Sequence, residues 1–112
     1  MSQKPAARIG DIGGPHGAYV PTPIIQGSPN VVVEKKPVAR KGDALVPHTK
    51  PKSKPHGRSV GGGASTVLVN GKPVARQGDK ISCGGKIMNG AASVVIGDSP
   101  KLPGSVPDPV FD

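Results

Sequence analysis

Apolar residues in this chain come as triplets set between turn-forming residues. Val31-Val32-Val33, Val67-Leu68-Val69 and Val94-Val95-Ile96 each begin four residues after a glycine (Gly27, Gly63, Gly90), and each is followed by a two-residue turn candidate and a proline (Pro37, Pro73, Pro100). Short β-branched runs bounded by Gly, Pro, Asn and Ser predict strands, not helices. The turn candidates are Glu34-Lys35, Asn70-Gly71 and Gly97-Asp98. Asn-Gly is a strong hairpin signal, because both central residues of a type I′ turn need positive φ. Each unit therefore reads as a hairpin, and the three align without gaps.

A second phrase repeats in step with the first: "PAARIGD" at 5–11, "PVARKGD" at 37–43 and "PVARQGD" at 73–79. In the first two hairpins it supplies the return strand. The third unit instead continues as "PKLPGSVPDP", which is too rich in proline for a central strand. The N-terminal phrase has the complementary defect, a return strand with no outgoing strand before it. Pairing it beside "AASVVIG" at 91–97 closes the chain into three similar faces and leaves fewer open sheet edges. The expected fold is all-β, a small pseudo-threefold structure of short β-hairpins with long Gly/Pro-rich loops. Arg8, Arg40 and Arg76 are then equivalent, as are Asp11, Asp43 and Asp79; the arginines either pair with these carboxylates or cap loop carbonyls. Three copies point to a structural role.

The composition limits how such a fold is held. In 112 residues there are 17 Gly and 14 Pro, and aromatic residues make up 2%. Little apolar area is available for burial, so a chain of this size needs a staple. One cysteine, Cys83, rules out an intramolecular disulfide and fits a reducing compartment. A metal or an oligomeric partner remains.

The metal has a donor set. His16 stands five residues after Asp11, His48 five after Asp43, and Cys83 four after Asp79. Equivalent loops of a threefold object converge at one end. His56, in the long "VPHTKPKSKPHGRS" loop, has the reach to join them. Three imidazoles and a thiolate form a complete tetrahedral set of the closed structural zinc type, so one structural zinc ion on His16, His48, His56 and Cys83 is expected. Four protein ligands leave no position for water or substrate. The chain is accordingly read as a non-enzyme with no catalytic residues.

A net charge of +8 invites an acidic partner. Much of that charge sits in "HTKPKSKPHGR", and recognition of single strands normally sets aromatic platforms beside basic groups. With Tyr19 and Phe111 as the aromatic residues, no nucleic-acid partner is expected and the basic segment reads as a solvated loop. The first residues lack the apolar core of a secretory signal, and no apolar run reaches the roughly 18 residues of a membrane span. A soluble protein without stable membrane association is expected.

The literal "PAAR" at Pro5-Ala6-Ala7-Arg8, the two "PVAR" variants and the set His16, His48, His56 and Cys83 resemble the PAAR-repeat proteins over nearly the whole chain. The resemblance implies a cone-shaped domain, zinc-stapled at the apex, whose base sits on the trimeric valine-glycine repeat (VgrG) spike of a bacterial type VI secretion system. It implies one monomeric tip per trimer, a mechanical role in puncturing the target envelope, and effector or toxin proteins as cargo. It implies a cytoplasmic protein that leaves the cell on the fired spike. The alternative is the tip of a phage tail or related contractile particle, which needs the same cap on the same kind of trimer. The chain reads as a single domain over 1–112 without a toxin extension, with 101–112 as a short C-terminal tail.

Overall fold

The computed structural model describes residues 2–15, 17, 19–48 and 56–98. Ten short strands follow one another: β1 (Ser2–Pro5), β2 (Ile12–Gly13), β3 (Thr22–Pro23), β4 (Val32–Val33), β5 (Lys36–Pro37), β6 (Ala44–His48), β7 (His56–Ser59), β8 (Leu68–Val69), β9 (Lys72–Pro73) and β10 (Val95–Asp98). They form five antiparallel pairs, β1–β10, β2–β3, β4–β5, β6–β7 and β8–β9. No helix occurs among the described residues.

The threefold repeat closes as a ring of backbone hydrogen bonds. Ala39 N–H donates to Ala7 C=O, Ala75 N–H to Ala39 C=O, and Ala7 N–H to Ala75 C=O, each at 2.9 Å. Bridges Arg8↔Val38, Arg40↔Val74 and Ala6↔Arg76 run around the same circle. The third side is made by the two ends of the described chain. Pro5 pairs with Val95 and Lys4 with Ile96, so the N-terminal phrase supplies the return strand that the third unit lacks.

Buried residues stack in threefold layers. Ala7, Ala39 and Ala75 form one layer and Ile24, Val60 and Ile87 another, in a cluster that also holds Leu45 and Ile81. Gly13 occupies the position equivalent to Leu45 and Ile81, and a Cβ there would lie 2.3 Å from Leu45 Cδ2 and 2.6 Å from Ile81 Cδ1. Two large side chains fill the axis because the third is missing. A second cluster, Ala6, Val38, Ala64, Val69 and Val74, lies toward the hairpins, with Val33, Val67, Val94 and Ile96 packed against it. In each unit the chain runs from its hairpin through the alanine layer to a loop. Hairpins and loops therefore lie on opposite sides of the ring.

Two expectations are corrected. Gly97-Asp98 is not a turn: Gly97 pairs with Gln3 and Asp98 with Ser2, and β10 runs on because its partner comes from the other end of the chain. The segment around "VPHTKPKSKPHGRS" is not wholly loop, since its arms are the paired strands β6 and β7. Their register shifts between Leu45 and His48. Pro47, which has no N–H to donate, lies within that stretch. Residues 49–55 of the basic segment, and the tail expected over 101–112, lie outside the described residues.

Candidate metal centre

β6 and β7 bring the first two donors together as cross-strand partners, since His48 is paired with His56. Their Nε2 atoms are 2.6 Å apart, and Cys83 Sγ lies 3.4 Å from His48 Nε2. Cys83 arrives on a tight loop closed by a hydrogen bond from Gly84 N–H to Ile81 C=O, and it packs against the apolar cluster beneath. His48 is buried; His56 and Cys83 are partly so. The three donor atoms lie within 4.8 Å of one another.

The backbone sets the chemistry of His48. Its Nδ1 is 2.9 Å from the carbonyl oxygen of Val20, which can only accept, so Nδ1 carries a proton and the lone pair of the neutral ring is on Nε2, the atom turned to the cluster. A second-sphere carbonyl of this kind fixes both tautomer and ring orientation in metal sites. Tyr19 stacks on the His48 ring at 4.8 Å between centroids and tilts against His56 at 4.2 Å. The aromatic face thereby restrains both imidazoles.

These residues fit a zinc ion. Bonds of about 2.0–2.3 Å in a tetrahedron put donors roughly 3.3–3.8 Å apart. The donors here, 2.6 and 3.4 Å apart in two pairs and all within 4.8 Å, bracket that span and need only small side-chain shifts to reach it. They are also the borderline-soft kind zinc takes. Of the four expected ligands, the structure brings together His48, His56 and Cys83. His16 lies outside the described residues.

Sequence reasoning missed Tyr19, Val20 and Arg58. Arg58 belonged to the segment expected to be solvated, yet it is 4% exposed. Its Nη1 donates to Gly13 C=O (3.2 Å) and Thr22 Oγ1 (3.0 Å), and its Nη2 to Gly14 C=O (2.6 Å) and Gly84 C=O (3.3 Å). The legible signal was alternation: Arg58 and Val60 are buried while Gly57 is exposed, the period of two of a strand.

On the hairpin side, three equivalent residues, Val32, Leu68 and Val95, are 62%, 60% and 50% exposed. They share one place in the repeat, the centre of each apolar triplet; of their triplet neighbours Val31 is also exposed, at 38%, and the others are partly or fully buried. At least one apolar side chain per unit is thus presented around the pseudo-threefold axis.

No helix among the described residues is long and apolar enough to cross a membrane. The family model described as the PAAR motif matches residues 13–89, more than half of the chain. No curated protein matches it.

Proposed function

The chain belongs to the PAAR-motif family, the family of spike-tip proteins, and we propose that it is the zinc-stabilised tip that caps a trimeric VgrG spike of a type VI secretion system. The observation that carries this reading is the threefold-equivalent trio Val32, Leu68 and Val95, exposed on one side of a ring formed by a single chain. A trimer presents the same surface three times. A monomer can cover it evenly only by repeating its own surface three times, and apolar side chains are what such a contact buries.

On the other side of the ring, His48, His56 and Cys83, with His16 as fourth ligand, hold the zinc. The metal supplies rigidity: a filled tetrahedral site joins loops that have few apolar contacts of their own, and its binding free energy becomes folding free energy. The role is mechanical, a rigid apex on a closed ring. The 1–112 chain serves as one tip domain, made in the cytoplasm and exported on the spike, with effector proteins as cargo.

The test has two parts. Zinc content and thermal melting are measured with and without chelator for the wild type, Cys83→Ser and His56→Ala. About one zinc per chain, weakened in both variants, is expected, with a lower melting temperature after chelation. Binding to a trimeric VgrG spike protein is then measured for the wild type and Leu68→Glu. One chain per trimer, with binding lost in Leu68→Glu and zinc content unchanged, is the expected outcome. Equal binding by both proteins would remove the docking face assigned here.

A further inference from the structure

We infer that Arg58 is the positioning residue of the metal centre, a single guanidinium that fixes the chain segments carrying all four ligands. This rests on the zinc reading above.

Of the four oxygens that Arg58 holds, three lie within three residues of a ligand, and the fourth, Thr22 Oγ1, reaches one through a further hydrogen bond. Gly14 is two residues before His16, and Gly84 follows Cys83 directly. Thr22 Oγ1 accepts from Arg58 and donates at 2.6 Å to the carbonyl of Val46, two residues before His48. Thr22 also stands two residues after Val20, whose carbonyl sets the His48 tautomer. His56 is two residues before Arg58 on β7 itself, so both side chains fall on the same face of the strand. The Cys83 loop is bent tightly over this group: Gly85 has φ +87°, and a Cβ on it would lie 2.8 Å from Gly14 C=O and 3.3 Å from Arg58 Nη2.

Burying a cation is costly unless hydrogen bonds replace its water. Among the described residues no carboxylate is hydrogen-bonded to Arg58; its bonds run to carbonyls and one hydroxyl. A planar fork can span oxygens from three separate segments in fixed directions, which a point-like ammonium cannot. The work is positional, since a second positive charge close to a zinc ion would by itself weaken metal binding.

Arg58→Lys, Arg58→Met and Thr22→Val test this. Zinc affinity is measured by competition with a chromophoric chelator, and cobalt(II) is bound in place of zinc to read ligand geometry from its visible spectrum. Arg58→Lys and Arg58→Met should both lose about 10- to 100-fold in zinc affinity, the range for outer-sphere partners of metal ligands, with a weaker or shifted tetrahedral cobalt band. Thr22→Val should lose less. The melting temperature of the zinc-loaded protein should fall by more than that of the metal-free protein. If Arg58→Met does not fold, Arg58→Lys and Thr22→Val carry the test. Unchanged affinity in Arg58→Lys, or equal loss of stability with and without metal, would overturn the inference and leave the zinc site standing. A wild type that binds no zinc would remove both.

Discussion

Asp11, Asp43 and Asp79 each accept three hydrogen bonds from the arginine three positions earlier, from its backbone N–H, its Nε and its Nη2, at 2.7–3.1 Å. Both partners are buried in every copy. The hydrogen bonds it donates to Asp43 hold the Arg40 guanidinium above its ordinary pKa, against the burial that lowers it. Removing one partner of such a pair leaves an uncompensated buried charge. Asp43→Ala should cost about 3–5 kcal/mol, read from urea unfolding. Glu34 behaves differently because it is exposed. Bonds from the Ser93 hydroxyl and backbone N–H, then the charge of Arg8, hold its carboxyl below the ordinary 4.5. A lowered carboxylate stabilises the fold above its unfolded value and loses that contribution as pH falls through the folded value. The urea midpoint of the wild type should therefore drop below about pH 4.5 more steeply than that of Glu34→Gln.

The hairpins show how one element tolerates different sequences. Asn70 and Gly71 have φ of 54° and 78°, the left-handed pair that a type I′ turn requires, and Glu34 and Lys35 adopt the same geometry at 51° and 67°. Two side chains that disfavour this region are held there because Glu34 is bonded to both Arg8 and Ser93. Lys35→Gly relieves one of them and leaves the Glu34 contacts intact, so it should raise stability by about 1 kcal/mol in urea melts. The glycine that opens each unit answers to packing instead. A Cβ on Gly27, Gly63 or Gly90 would fall 2.8–2.9 Å from a backbone oxygen of the return strand, Val38, Val74 and Ala6 in turn.

At the scale of the molecule, β1 is the closing element. It pairs with β10, and Pro5 C=O accepts from Gln77 N–H at 2.8 Å, so one short strand joins the third unit to the second. Deleting residues 1–5 should leave β10 without a partner, lower the melting temperature substantially and speed amide exchange at Ile96 and Gln77 relative to Asn70. A ring that survived this deletion unchanged would not depend on its ends. Closure also explains the exposed trio at Val32, Leu68 and Val95: their equivalence exists only in the closed form.

Much of this was written in the sequence. Short-range chemistry specifies the triplets, the Asn-Gly turn, the repeated Arg and Asp positions and the His and Cys spacing, because turns and alternation act over a few residues. The sequence alone also determined the threefold repeat and the exchange of return strands between the two ends. Tertiary structure decided the rest. Gly97-Asp98 reads as a turn locally and becomes strand because a distant segment lies beside it. Arg58 reads as one more solvated charge in a basic run, and it is buried because four oxygens from three separate segments meet around it. Whether the arginines pair with Asp11, Asp43 and Asp79 or cap loop carbonyls was undecided by spacing, since both groups lie within reach; the packed fold brought the carboxylates to them, and put Arg58 on the carbonyls.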